Sequence, residues 1–289
     1  MLRKLMVVSV IVGFVVSTAM ASDTASARAN LSAAEIVDRN VQARGGLQAW
    51  REVQAISWSG KLGAGGNQRT TLPMPTPGKQ LGKLPVTPRP AAEVELPFIM
   101  EMQRPHKVRF ELQFQGQTAL QVYDGANGWK FRPYLNRRDI EPYTPDELKI
   151  ASMGADIDGP LVDYAAKGTQ IELAGIEKVE DRDNYKLKLS MKNGQAIHVW
   201  IDAQTFLETK IEGQPRRLDG KDHLVEIYYR EYRPVDGLQI PFVLETKVLP
   251  LPNPASKVRE TPLPPEKITI EKVVVNPKLD AALFAKPGR

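Results

Sequence analysis

Between Glu93 and Phe114 apolar and polar residues take alternate places. Val94, Leu96, Phe98, Met100 and Met102 share one parity, with Glu93, Glu95 and Glu101 on the other. After a break at Arg104-Pro105, Val108, Phe110, Leu112 and Phe114 alternate with Lys107, Arg109, Glu111 and Gln113. A period of two sends successive side chains to opposite faces of a strand, so the pattern predicts a sheet with one apolar and one wet face. Tyr185, Leu187, Leu189 and Met191 repeat it against Lys186, Lys188 and Ser190, and Ile197, Val199 and Ile201 return after Lys192-Asn193-Gly194-Gln195. Asn-Gly predicts a type I′ hairpin turn, in which both central residues need positive φ. Further strands are expected at Thr205–Glu212, His223–Tyr232, Leu238–Val248 and Ile268–Val275, with Asp219-Gly220 and Asp236-Gly237 as turns. Strands joined this closely make an antiparallel meander.

The period is near 3.6 in only a few places. Ala34, Ile36, Val37, Val41 and Leu47 form a helical stripe behind the capping box Ser32-Ala33-Ala34-Glu35. Gly45-Gly46 interrupts it, and Leu47–Val53 reads as a second short helix anchored by Trp50. Thr144-Pro145-Asp146-Glu147 supplies a cap, a proline in the first turn and a capping-box glutamate, opening a helix through about Ser152. Pro160–Ala166 is expected to be another, stopped by Gly168, and Asn276-Pro277 to start a last one ending near Phe284. Two segments, near 72–97 and 250–265, are rich in proline, which donates no ladder hydrogen bond, so neither is expected to be a central strand. They read as long surface loops or as a mobile flap or partner-binding arm.

The N-terminus changes the picture. Arg3 and Lys4 precede an apolar run from Leu5 to Val16, followed by Ala19-Met20-Ala21. This is a secretory signal peptide over residues 1–21, with cleavage expected after Ala21, and the run is shorter than the ~20 residues that span a bilayer. Residues 22–30 read as a flexible leader, and 31–289 as one domain carrying the proline-rich insertions. The chain of 289 residues has no cysteine, hence no disulfide, no thiolate metal site and no lipobox. An exported chain of this size without disulfides fits a bacterial periplasm, because a large core needs no staples. The net charge of +5 becomes +3 without Arg3 and Lys4, and bases and acids are interspersed, so no nucleic-acid footprint is read.

The search for catalytic chemistry is largely negative. His106, His198 and His223 include no pair at a metal-ligand spacing, and neither a G-x-S-x-G elbow nor a phosphate-binding loop occurs. Gly60, Gly63, Gly65 and Gly66 read as a hairpin end, Asp156 and Asp158 as caps of the following helix, and Glu208 and Glu212 as solvated strand residues. No enzymatic activity, cofactor or metal is expected. The basic cluster Arg132, Arg137 and Arg138 is either a solvated turn or a contact for a lipid headgroup or membrane-protein partner. The one-faced sheet either closes on helices as a core or forms a trough for an apolar ligand, and Met100, Met102 and Met191 suit both.

Certain blocks carry a resemblance. Tyr123-Asp124-Gly125-Ala126-Asn127-Gly128-Trp129 matches a "yDG..gW" strand-turn. Leu161-Val162-Asp163-Tyr164 with Gly168 and Gly175, Asn184-Tyr185-Lys186-Leu187, and Val199-Trp200-Ile201-Asp202 are further blocks. Tyr232-Arg233-Pro234-Val235-Asp236-Gly237-Leu238-Gln239-Ile240-Pro241-Phe242 is the most specific, and Asn276, Leu283-Phe284 and Pro287 complete the set. From about Ala55 to Pro287 the chain thus resembles the outer-membrane lipoprotein-sorting superfamily, the LolA/LolB-like fold shared with the periplasmic sensor RseB. The resemblance implies an α+β fold in which an antiparallel sheet curls into an incomplete half barrel, with helices plugging the concave face. It implies a periplasmic protein that binds a lipid or the acyl chains of a lipoprotein, or alternatively an envelope-stress sensor with a membrane partner. On that reading the lining is Phe98, Met100, Met102, Phe110, Leu112, Phe114, Tyr185, Leu187, Leu189, Ile197 and Val199, and the lid is Thr144–Ser152 with Pro160–Ala166.

Overall fold

The structure, a computed structural model, describes residues 31–65, 93–133, 137–218, 221–251 and 264–288. The expected signal peptide, the leader, Gly66, the Asp219-Gly220 turn and most of both proline-rich segments lie outside these residues. The unit from Ala33 onward contains every helix and strand among them.

Two helices open it, α1 (Ala33–Ala43) and α2 (Leu47–Glu52). Six strands come next: β1 (Ala55–Gly65), β2 (Glu93–Gln103), β3 (Lys107–Phe114), β4 (Gln117–Tyr123), β5 (Gly128–Arg132) and β6 (Arg137–Pro142). Helix α3 (Pro145–Gly154) and a run of turns lead to β7 (Gln170–Val179), β8 (Arg182–Ser190), β9 (Ala196–Asp202) and β10 (Glu208–Glu212). The short pair β11 (Arg216–Leu218) and β12 (Lys221–His223) stands apart as its own sheet. Strands β13 (Val225–Val235), β14 (Leu238–Val248) and β15 (Glu266–Val275) and a 3-10 helix (Ala281–Phe284) complete the unit.

Among the described residues thirteen strands form one antiparallel sheet in the order β6-β5-β4-β3-β2-β1-β15-β14-β13-β10-β9-β8-β7. It is an open half barrel: β6 and β7 are free edges that never meet. The register puts the alternating apolar residues on one face. Phe98 pairs with Leu112, Met100 with Phe110, and Met102 with Val108. Leu187 pairs with Val199, and Leu189 with Ile197. Between these two halves β15 joins β1 to β14, so a meander in sequence is closed by pairing Ile56 with Val275.

Turn chemistry departs from expectation in one place. Asn193-Gly194 is not a type I′ turn, because only Gly194 has positive φ. Met191 N–H donates to the Gln195 carbonyl, and Asn193 Oδ1 accepts from Gln195 N–H, making a longer turn with a single left-handed residue. The two-residue turns with both central φ positive are Gln115-Gly116, Glu180-Asp181 and Asp236-Gly237.

Two further expectations are corrected. Pro160–Ala166 is a chain of turns rather than a helix, because Asp163 sits at φ 52°, outside helical space. The Arg51 guanidinium fixes it there with a two-point contact, Nε to Oδ2 at 2.9 Å and Nη2 to Oδ1 at 2.6 Å. Pro97, at the end of the first proline-rich segment, lies inside β2 opposite Lys61. It costs no ladder bond to β3, whose pairing begins only at Phe98.

The outer face is not uniformly wet either. The 3-10 helix packs on it at β3: Phe284 and Val122 are buried there, Arg109 donates to the Leu283 carbonyl at 3.1 Å, and the Lys107 ammonium lies over the Phe284 ring.

Candidate functional site

The inner face of the sheet is covered by α1, α3 and the segment 155–168. Helix α3 is capped as its sequence predicts. Thr144 Oγ1 accepts from Glu147 N–H, while Glu147 Oε2 accepts from Thr144 N–H. Yet α3 buries none of its residues, and Ile150 is about half exposed. Its tether to the sheet is the Lys130–Glu147 ion pair.

The segment after α3 is held far more firmly. Ala155, Ile157, Leu161 and Val162 are buried. Asp158, 3% exposed, receives Arg104 Nη2 at 2.7 Å and Lys167 Nζ at 2.5 Å. Asp156 faces His106 and Lys167. Arg104 also donates to the carbonyls of Val53 and Trp50, joining this segment to the end of α2. Asp156 and Asp158 therefore do not cap a helix, since none comes after them. They anchor a strap.

Beneath the strap lie two adjoining cavities. The inner one, about 240 Å³, is walled by Trp58, Met100, Met102, Ile157, Leu161, Val199, Leu244 and Ile270. The outer one, about 540 Å³, is bounded by Ile150 and Met153 of α3, by Met191 and Ile197, and by Ile227. Ile211 and Tyr229 of the sheet, Gly154 at the end of α3, and Asp156, Gly159 and Pro160 of the strap border both. The two make one trough, apolar inside and more polar toward Lys167 and Glu212 at its outer end.

An ion pair and two tyrosines interrupt the inner wall. Glu208 is buried, not solvated as expected, and pairs with Arg44 at 3.2 Å. Arg44 also donates to the Asp158 carbonyl at 2.9 Å and stacks on Trp50. Tyr232 donates its hydroxyl to the Glu208 carbonyl at 3.0 Å. Burial, reinforced by the charge of Glu208 and opposed by Arg44, pushes the Tyr229 and Tyr232 hydroxyls well above the usual tyrosine range. Both tyrosines are neutral at any physiological pH.

The structure divides the sequence-predicted lining. Met100, Met102 and Val199 border the inner cavity, and Ile197 the outer. Tyr185, Leu187 and Leu189 are completely buried at the α1 end, with Tyr185 stacked on Phe206, whose carbonyl accepts from Asn40 of α1. Phe98 and Phe110 stack on each other at 5.8 Å, with Leu112 beside Phe98 across the strands. Phe114 borders a separate groove at the β3–β4 turn. Trp58, Ile211, Ile227, Tyr229, Leu244 and Ile270 were not singled out from the sequence, though each sits on the apolar parity of its strand. Arg44 and Glu208 carry no sequence signal, because nothing local announces that a charge will be buried.

In the basic cluster, Arg132 is bound to Glu141 at 2.9 Å and Arg138 is exposed, while the Arg137 side chain lies outside what is described. Among the described residues no helix is long and apolar enough to cross a membrane. No group of three or more His, Asp or Glu among them is placed to hold a metal ion.

No protein-family model matches the sequence, and no curated protein matches it. Solved structures do. A LolA-superfamily protein from Nitrosomonas europaea is similar over 89% of this chain and 98% of that one, with a TM-score of 0.50 at 13% identity. A DUF1329 family protein from Desulfovibrio piger is similar over 88% and 97%, with a TM-score of 0.49 at 14% identity. An open antiparallel sheet with helices and a strap over its inner face is thus the LolA-like half barrel, and this chain has that fold.

Proposed function

We propose that this protein is an exported carrier that shields an acyl chain, of a lipid or of an acylated lipoprotein, from water between two membranes. The observation that carries the reading is the apolar trough on the inner face of the half barrel, roofed by a strap and by a helix that buries nothing of its own. A carrier needs an apolar lining and a cover able to open, and no catalytic group. Each methylene moved from water into such a lining contributes roughly 0.8 kcal/mol. Ten would give about 8 kcal/mol before the cost of association, the order a reversible carrier requires. Helix α3 is the natural cover. Opening it breaks the Lys130–Glu147 pair and contacts of residues none of which is fully buried, whereas opening the strap would also expose the buried Ala155, Ile157, Leu161 and Val162. The N-terminal signal supports export to the periplasm with cleavage after Ala21. Arg138, beside the edge of the sheet, is a contact for a lipid headgroup or a membrane partner.

The test is native mass spectrometry of the protein purified from its own periplasm, followed by organic extraction. Co-purifying lipid or acylated protein is the expected result. A clean ligand-free mass together with no uptake of a fluorescent fatty-acyl probe would overturn the proposal.

A further inference from the structure

Most polar side chains on the inner cavity are already engaged. Arg44 pairs with Glu208, and the Tyr232 hydroxyl donates to the Glu208 carbonyl. Asp156 faces His106 and Lys167. The indole nitrogen of Trp58 is shut off from solvent and offers nothing to a ligand. Tyr229 differs from all of these. It stands on β13 opposite Leu244 of β14, on the face that carries Ile227, and it borders the inner and the outer cavity alike. Its hydroxyl has no hydrogen-bond partner among the described residues. Yet it is not among the buried side-chain atoms shut off from solvent without one, so it keeps accessible surface. Removal from bulk water is the largest influence on this hydroxyl, and the charges it feels are Glu208 and Arg44 of the inner wall. The space it opens onto is therefore the trough and not the outer surface.

Tyr229 also marks where the trough changes character. Inward of it the wall is Trp58, Met100, Met102 and Ile270, and outward the lining turns polar toward Lys167 and Glu212. An amphiphile laid along the trough with its tail inward has its carbonyl near this boundary. Water can satisfy the hydroxyl when no ligand is bound. A plain hydrocarbon lying across it would strip that water and leave the donor unpaired, at a cost of about 1–3 kcal/mol. The charges nearby restrict what the acceptor can be. Arg44 is already compensated by Glu208 and by the Asp158 carbonyl. A ligand carboxylate at Tyr229 would therefore meet the Glu208 carboxylate with no uncompensated cation beside it. A neutral carbonyl oxygen meets no such repulsion.

We propose that Tyr229 is the specificity-determining residue of the trough: its free hydroxyl, at the junction of the two cavities, donates to the neutral carbonyl oxygen of a bound acyl ester and so favours esterified chains over hydrocarbon. The inference rests on the carrier reading above and adds the chemical class of the ligand. The shared chemistry is the acyl ester carbonyl, whether it belongs to a glycerophospholipid or to a diacylglyceryl-modified polypeptide.

The test is displacement of a fluorescent acyl probe from the full mature chain by methyl palmitate and by hexadecane. Tyr229→Phe keeps the ring and removes only the hydroxyl. It is expected to weaken methyl palmitate about tenfold and not to weaken hexadecane. A second readout is the infrared stretch of the ester carbonyl in bound methyl palmitate. It reports hydrogen bonding to that oxygen directly, so a merely structural role for Tyr229 would not move it. The stretch is expected at lower frequency in the wild type than in Tyr229→Phe. Short-chain phosphatidylglycerol and an S-diacylglyceryl peptide then separate the two sources of the ester. A loss of displacement by either in Tyr229→Phe supports the inference and identifies the source, and a loss with neither overturns it. If the substitution acts on ester and hydrocarbon alike, or the ester stretch is the same in both proteins, the inference is overturned while the carrier stands. If no acyl probe binds at all, both fall together.

Discussion

Asp158→Ala tests what holds the strap down. The side chain is 4% exposed and receives two cations, Arg104 Nη2 at 2.7 Å and Lys167 Nζ at 2.5 Å. Removing one partner of a buried ion pair typically costs 3–5 kcal/mol, because the other charge is left uncompensated. Here both cations keep something. Arg104 is 30% exposed and still donates to the Val53 and Trp50 carbonyls, and Lys167 still reaches Asp156 and the Gly159 carbonyl. The loss should therefore fall below that range, at about 2–3 kcal/mol. That corresponds to roughly 5–10 °C in Tm for a domain of this size. Urea and thermal unfolding of the mature chain measure the loss. A cycle with Arg104→Ala isolates the pair and should show about 1–3 kcal/mol of coupling. Asp158→Asn, which keeps an acceptor and loses the charge, should fall between. Raising the salt to about 0.5 M should leave most of the effect, since a buried pair is poorly screened. A loss below about 0.5 kcal/mol, or additive single variants, would refute the reasoning and leave the strap held by its buried apolar residues and by Arg44 and Arg51.

Four other perturbations address separate parts of the structure. Phe110→Asp places a carboxylate beside Phe98 and Met100 and should unfold the protein or cost several kcal/mol, while Gln113→Asp on the exposed parity should change urea stability by less than about 0.5 kcal/mol. Arg109 is a poor neutral control, since it pairs with Glu111 and holds the Leu283 carbonyl, so Arg109→Asp is expected to loosen the C-terminal 3-10 helix as seen by amide exchange. Gly60→Ala should cost about 3 kcal/mol or more in urea unfolding, because a Cβ there would lie 2.1 Å from the Thr269 carbonyl oxygen at the β1–β15 bulge. The hydrogen bonds from Arg51 hold the Asp163 carboxyl below its usual range, so its contribution is complete above about pH 4 and is lost as the pH falls through its folded value. Asp163→Asn should accordingly be less stable than wild type near neutrality and converge with it in acid, and a constant difference across the range would show that Arg51 does not act through charge.

The parity of apolar residues was readable because a strand has one unambiguous period. Phe98, Met100 and Met102 share a face whatever the strand pairs with, and so do Leu187 and Leu189. Helix α3 was equally legible, since its cap lies within four residues of sequence. What failed to show was anything that depended on a distant partner. The turns at 157–168 look helical locally, but Arg51, 112 residues away, holds Asp163 in a left-handed conformation. Glu208 reads as a solvated strand acid until Arg44 and Tyr232 are brought against it.

The sequence by itself determined which residues of its alternating strands share an apolar face, because local sterics and the two-residue period set that. Only the tertiary structure decided that β15 joins β1 to β14, and that the strap leaves a trough where a closed core was equally compatible with the alternation. Such outcomes depend on which surfaces meet across two hundred residues of chain, and no local period encodes that.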